Sequence, residues 1–450
     1  MHAQNRVCFV ITQQMTCRII AMRDITLKKI CTVALLLTFI QGAFAQANVD
    51  SPYSMFGIGQ LRDKTMNFRL KGMGGVSNAM YGKSIINAEN PASYAMIDTL
   101  AFLFDAGMYF KTSDFSTSSL SETSSNANFD YVALAFGATD WWRISLGVQP
   151  FSNVGYNLVV NNHKDDVGNY ATTFKGSGGL NQAFIGNAFR LGRHFSIGAN
   201  AKYVFGDYET QTTLSFPDSA FMMDSRRGVD MLVKSFMFDY GVLYNTKLSN
   251  GLNLSLGLTY NQKIKLKGKQ TTFIRSIKQS SDSDVEYLID TVFYSEKGNS
   301  RITMPHEFGF GVTLQKDNHW TVGADFNWSQ WSKFAREGVN DSLQNSWSAA
   351  VGAELIPTSS SVSNYFTKMS YRFGAFYEQT FLNIRGQSIN KFGLTVGISM
   401  PLPRSLSKVN VALEVGQCGT KSSGLIQERY IKATVGISVF ERWFLKRKYQ

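Results

Sequence analysis

Leu252-Asn253-Leu254-Ser255-Leu256-Gly257-Leu258-Thr259-Tyr260 places a large apolar side chain at every second position and a small or polar one between them. A period of two marks a β-strand with two unlike faces. The same alternation returns in Trp320-Thr321-Val322-Gly323-Ala324-Asp325-Phe326-Asn327-Trp328, from Phe392 to Met400 and from Val409 to Gly416. In a soluble sandwich the large apolar residues point inward and the outward face carries Lys, Glu and Thr. Here the second face is rich in Gly and Ser, so the large residues are read as facing lipid and the small ones as lining a lumen. That is the inverted pattern of an outer-membrane barrel.

Composition agrees. Of 450 residues 44% are hydrophobic and only 17% are charged, which is low for a soluble domain. The 34 Phe, 19 Tyr and 38 Gly against 8 Pro favour strands and turns, and such a chain is not disordered. No run beyond residue 45 approaches the ~20 apolar residues that a spanning helix needs.

The first 45 residues read as an export signal. Arg23, Lys28 and Lys29 precede the apolar run Ile30 to Ile40, and Ala43-Phe44-Ala45 supplies a small-x-small cleavage site. Residues before Met22 add nothing to this signal, so translation is expected to start at Met22. Cys8, Cys17 and Cys31 leave with the leader, and Cys418 alone forms no internal disulfide. The formal charge of +12 falls to +8 in the mature chain, a balance that suits contact with anionic membrane lipid. No nucleic-acid partner is expected.

Fourteen alternating segments follow, near 99–111, 128–139, 142–160, 170–190, 194–212, 230–247, 251–273, 287–315, 319–331, 346–356, 366–379, 388–402, 407–418 and 428–440. An even count and alternating short and long connections are what a barrel with periplasmic turns and external loops requires. Residues 357–365 break the rule, being long where a short turn is expected. The tryptophans read as two aromatic belts: Trp141, Trp142, Trp320 and Trp443 at the periplasmic ends of strands, Trp328, Trp331 and Trp347 at the outer ends. The spacing from Trp320 to Trp328 or Trp331 corresponds to roughly 20 to 28 Å of height, close to the ~25 Å apolar band of such barrels.

Residues 46–98 do not alternate. They carry Ser51-Pro52-Tyr53-Ser54-Met55-Phe56-Gly57-Ile58-Gly59, Lys71-Gly72-Met73-Gly74-Gly75 and Asn90-Pro91-Ala92-Ser93-Tyr94, the last running directly into the first strand. This order resembles the N-terminal region of FadL-type outer-membrane proteins, the long-chain fatty-acid and hydrocarbon transporters, which also carry an Asn-Pro-Ala word before the first of fourteen strands. The resemblance implies an all-β, transmembrane antiparallel barrel of fourteen strands (99–440) with an N-terminal hatch (46–98) in its lumen, and a basic tail over 441–450. It also implies delivery of a hydrophobic small molecule through a sideways opening in the wall.

A sideways opening needs a strand that fails to pair with its neighbour. Pro within a barrel strand removes a ladder donor. Gln149-Pro150-Phe151-Ser152-Asn153-Val154-Gly155 interrupts the third segment, where the family places its kink, so Pro150 and Gly155 are the candidate gate. The alternatives are an ordinary bulge there, or a break at Pro305 in the eighth segment.

No His-Glu-x-x-His, Gly-x-Ser-x-Gly or paired-Cys motif is present. Asp282, Asp284 and Glu286 have oxygen ligands for calcium, although alternating acids in a solvated loop are ordinary. His306-Glu307 and His163 with Asp165 have no placed nucleophile beside them, and Lys446-Arg447-Lys448 reads as a solvated basic end. No catalytic residue, metal or cofactor is assigned. The expectation is passive outer-membrane import of fatty acids or hydrocarbons. The alternative is a non-transporting barrel similar to the FadL-like component of type IX secretion systems, with a periplasmic or secretion-system protein as partner. An apolar pocket between hatch and wall, with Phe56, Met73 or Tyr94 facing it, would mark the transporter, and an extended apolar loop surface would mark the partner barrel.

Overall fold

The computed structural model describes residues 51–63, 65–219, 221–248, 251–279, 286–317, 319–357, 364–403 and 405–442. The residues read as a leader and as a basic tail, Trp443, and Asp282 and Asp284 of the acidic loop lie outside them.

Fourteen antiparallel strands form the wall. They are β1 (Ala101–Ser116), β2 (Ser121–Gly137), β3 (Trp142–Asn153 and Tyr156–Lys164), β4 (Gly168–Leu191), β5 (Phe195–Ser215), β6 (Asp224–Lys247) and β7 (Leu252–Asn261 and Ile264–Gln279). There follow β8 (Glu286–Met304 and Glu307–Lys316), β9 (Trp320–Ser329), β10 (Ser346–Leu355), β11 (Ser370–Ile384), β12 (Gln387–Pro401), β13 (Lys408–Cys418) and β14 (Gln427–Arg442). Pairing of β14 with β1, from Ala101↔Arg442 to Ser116↔Gln427, closes the barrel. Closure satisfies the edge groups that lipid cannot. The long connection after β10 holds a single helical turn, Tyr365–Lys368, and leaves the count of fourteen intact.

The alternation has the orientation read from the sequence. Leu258, Phe310, Val322, Phe373, Leu394 and Val415 are exposed on the outside. Asn253, Ser255, Asp325, Thr395 and Asn410, on the other face, are buried. Burial of that face comes from residues 51–98, which pass through the lumen as short turns: Pro52–Met55, the strand Gln60–Leu61, the helical turn Phe68–Lys71 and the turn Pro91–Met96. The luminal face is small because this segment touches it. A Cβ on Gly257 would lie 1.9 Å from the Asn78 carbonyl oxygen, a contact no side chain tolerates.

Polar side chains of the wall hold the segment. The Ser77 and Asn78 amides donate to Asp325 at 2.6 and 2.7 Å. Asn67 caps the Phe68–Lys71 turn through Oδ1 and donates through Nδ2 to Asp105 at 2.8 Å. Arg69 and Arg372 share Glu354 at 2.6 and 2.5 Å. These charges are buried and paired, and breaking one member of such a pair costs roughly 3–5 kcal/mol.

Beyond the membrane the wall is uneven. β9 and β10 have 10 residues each, about what a bilayer crossing needs, whereas β4 and β6 have 24. The outer halves of β3 to β8 therefore extend as a projecting sheet. Among the described residues one margin is Tyr156–Lys164 of β3, which pairs with β4 alone. The other is β8, where Glu286–Ser300 pairs only with β7, and only Ile302 and Thr303 also meet the hairpin strand Ala335–Arg336. Glu337 pins that hairpin, accepting from the Arg301 amide at 2.6 Å and from Lys297 at 2.8 Å.

Two outcomes follow. Gly257→Val should lower stability by roughly 1–3 kcal/mol or more through overpacking and open residues 51–98 to protease, while Gly298→Val, with nothing near its Cβ, leaves both unchanged. Hydrogen bonds from Lys297 and the Arg301 amide hold the Glu337 carboxyl down at about 2. A lowered folded value stabilises above the unfolded value of about 4.5 and is lost as pH falls through the folded one. The Arg301 amide should thus stay protected from hydrogen exchange at pH 4 and lose protection near pH 2, and Glu337→Leu, which removes the acceptor, should abolish it at neutral pH.

Candidate lateral opening and luminal cavity

The β2–β3 ladder is short. It runs only from Gly137↔Arg143 to Val132↔Val148. At Gln149 and Pro150 β3 turns away from β2 while keeping its other neighbour, β4, through Asn153↔Gly179 and on from Tyr156↔Gly176. The freed edge finds a partner inside the barrel: Ser152 and Asn153 pair with Leu61 and Gln60. Gly59 makes this approach feasible, with φ of +94° and a Cβ position only 2.5 Å from the Asn153 carbonyl oxygen. On the other side of the gap, Ser121–Tyr131 of β2 pairs with β1 alone among the described residues.

Pro150 lies where the ladder stops, and Gly155 lies in the break between the two halves of β3. Ser51 and Ser54 cap this break. The Ser51 amide donates to the Gly155 carbonyl at 3.3 Å, and the Gly155 amide donates to Ser54 Oγ at 3.1 Å. The competing break at Pro305 differs. Pairing there resumes at once on both sides, with Ile264↔Met304 and Asn261↔Glu307, so β7 and β8 bend together where the projecting sheet leaves the wall.

One side chain spans the gap. Arg62 donates through Nη2 to Asp130 of β2 at 3.2 Å and through Nη1 to the Gln149 side chain of β3. Asp130 also pairs with Lys71 of the luminal segment. Beside it, Asp63 holds Lys391 at 2.9 Å and Lys432. Neither Arg62 nor Asp130 stood out in the sequence. A lone charge in a loop and another on a strand have no local pattern, and the two are 68 positions apart.

Behind the gap lies a cavity of about 250 Å³. Gln149, Pro150, Phe151 and Arg62 form its side toward the opening, and Trp331, Phe381 and Leu382 form an apolar side. Trp331 stacks on Phe381 with ring centroids 4.3 Å apart. Its placement corrects the belt reading: Trp331 is 5% exposed and sits in the luminal cluster with Ile58 and Phe334, because the chain turns inward after β9.

The other described tryptophans sit at strand ends. Trp141 is exposed and stacks with Trp142 and Phe189. Trp320 opens β9, and Trp328 faces Trp347 across the β9–β10 pair. Around Trp328 and Trp347 an aromatic row continues from Tyr240 through Tyr260 and Phe308 to Tyr377.

Of the hatch words, Ser51 donates to Glu428 at 2.9 Å, Tyr53 donates to the Ile426 carbonyl, and Pro52 begins the first turn. Phe56 packs beside the luminal cluster and Gly57 turns with φ of +61°. Asn90 caps the turn that Pro91 and Ala92 begin, its Oδ1 accepting from the Ala92 amide at 3.1 Å while Nδ2 donates to Asn78 and to Val242 of β6. Met73 and Tyr94 are fully buried away from the cavity. His163 with Asp165 is exposed, and His306 Nδ1 is held by Tyr260 and the Lys263 amide. Among the described residues no group of three metal-ligating side chains is found.

Solved structures share this architecture. A Pseudomonas aeruginosa FadL homologue superimposes with a TM-score of 0.56 at 12% identity, covering 85% of this chain and 100% of its own. The toluene transporter TbuX of Ralstonia pickettii gives 0.57 at 13%, covering 84% and 99%. The toluene transporter TodX of Pseudomonas putida gives 0.56 at 17%, covering 86% and 100%. At these identities the likeness is one of fold. A search among curated proteins finds no match. The profile of the BamG family matches residues 26–450, nearly the whole chain. With a FadL-like closed barrel and an internally docked N-terminal segment, the chain belongs to the BamG family.

Proposed function

We propose that this barrel passes hydrophobic small molecules across the outer membrane, from the luminal cavity sideways through the wall between β2 and β3. In this reading residues 51–98 are the hatch, Pro150 and Gly155 shape the gate, and Arg62 is its latch. The observation that carries it is the early end of the β2–β3 ladder at Val132↔Val148, with β3 continuing inward to pair with Gln60–Leu61. An apolar solute leaving there passes the Arg62 contacts and enters lipid directly. The two toluene transporters of the same fold support the class of solute, at the level of analogy.

Uptake of labelled toluene and of a labelled long-chain fatty acid by cells carrying the protein tests this. Bridging Asn128→Cys on β2 to Gln149→Cys on β3 with a bismaleimide should remove uptake, and the unbridged double variant should keep it. Arg62→Met should raise uptake by releasing β2 from β3. Uptake indifferent to the bridge would overturn the reading.

A second reading, a barrel that serves a partner protein at the surface, is supported by the free margin of β8. Leu288, Val292 and Tyr294 there are 57%, 64% and 57% exposed on a strand with one unpaired edge. Such an edge accepts an added strand. Val292→Pro, which removes an edge donor, should leave uptake intact under the first reading and impair surface assembly of a partner under the second.

A further inference from the structure

The cavity behind the gate has a charge pattern unlike a fatty-acid site. Five carboxylates line it: Asp63, Glu89, Asp239, Glu307 and Glu378. Among the described residues three cations do, and each already faces an acid: Arg62 with Asp130, Lys202 with Asp239, and Lys391 with Asp63. A carboxylate ligand would have to displace one of these acids from its partner. It would also lie near acids that have no cation within ion-pair distance, since neither Glu89 nor Glu378 forms an ion pair among the described residues. Like charges placed together in a water-poor site repel strongly.

Hydrogen-bond capacity is biased the same way. Glu89 accepts from the Met66 amide at 2.7 Å through Oε1, while its Oε2 is buried without a partner. Gln60 Oε1 and Gln182 Oε1 are also buried and unpartnered. Among the fully buried lining atoms one donor, Arg62 Nε, also lacks a partner. Buried acceptors without partners cost free energy that a donor-bearing ligand would recover. Opposite them Trp331, Phe381 and Leu382 offer an apolar wall.

We infer that this cavity binds an amphiphile whose head is a protonated amine, with the ammonium toward Glu89 and the apolar tail along Trp331 and Phe381, and that it discriminates against fatty carboxylates. The inference rests on the transport reading and narrows its substrate class. An ammonium supplies three donors and a positive charge, matching the acceptors and the surplus of acid.

The test is equilibrium dialysis of labelled octylamine, octanol and octanoate against the full-length protein in phosphatidylcholine nanodiscs, with empty nanodiscs subtracted. Octylamine should bind at least tenfold tighter than octanoate, with octanol between them. Glu89→Gln should weaken octylamine about tenfold, equivalent to ~1.4 kcal/mol, and leave octanol unchanged, which also reports an intact cavity. Gln182→Leu should weaken octylamine less and spare octanol. If octanoate binds as tightly as the amine, or Glu89→Gln has no effect while octanol binding persists, the inference falls and the transport reading stands. If none of the three binds above the nanodisc background, both fall together.

Discussion

A backbone N–H or C=O at bilayer depth must find a protein partner, because lipid offers none. Closure through β14 and β1 satisfies this requirement for most of the wall, and it fixes what can happen where the ladder is interrupted. β3 can leave β2 only because two other segments receive it. Gln60–Leu61 takes the backbone of Ser152 and Asn153, and Ser51 with Ser54 takes both polar groups of Gly155. The luminal segment is therefore part of the wall's hydrogen bonding as well as the filling of its lumen. A gap in the ladder and a docked N-terminus are one structural solution.

That dependence explains why the small luminal face and the luminal segment are coupled so tightly. Gly257, Gly352 and Gly374 face the backbone of Asn78, Met73 and Gly74 at distances that admit no side chain. The contacts run around β7, β10 and β11, so no single strand holds the segment. Buried charges then fix its register: Asp325 accepts two adjacent amides, and Glu354 takes Arg69. Shape alone would allow the segment to slide, whereas a displaced Arg69 would take from Glu354 one of the two guanidinium groups paired with it.

Much of this was legible from the chain. Alternation is a local signal, and each of the fourteen segments read from it overlaps one strand of the barrel. Pro150 was legible too, since a proline inside an alternating run has few places to go. What failed to show is non-local. Arg69 and Glu354 are 285 positions apart, and nothing near either residue marks it as half of a buried pair. Trp331 misled because tryptophan at a strand end has two fates, belt or core, and the inward turn Trp331–Lys333 that decides between them is set by packing on Phe381 and Phe334. The projecting part of β8 was extended in the reading, but its exposure on both faces has no counterpart in a two-faced pattern.

The charged gap bears on how an apolar solute would use it. Arg62 spans the gap with one donor on each strand, so opening requires only that its two contacts exchange for others nearby. Asp130 keeps Lys71 when Arg62 leaves, and no carboxylate is stranded in the wall. A purely apolar seam would part with less loss of hydrogen bonding, but it would also leave lipid free to enter the lumen. Under the proposed transport reading, these paired charges would close the wall against acyl chains, since inserting a methylene chain between Arg62 and Asp130 separates ions in a low-dielectric setting. A solute arriving from the cavity side would instead meet Gln60 and Glu89, whose unpartnered oxygens could receive the guanidinium. That asymmetry between the two sides of the gap would give the opening a direction of response without any moving domain.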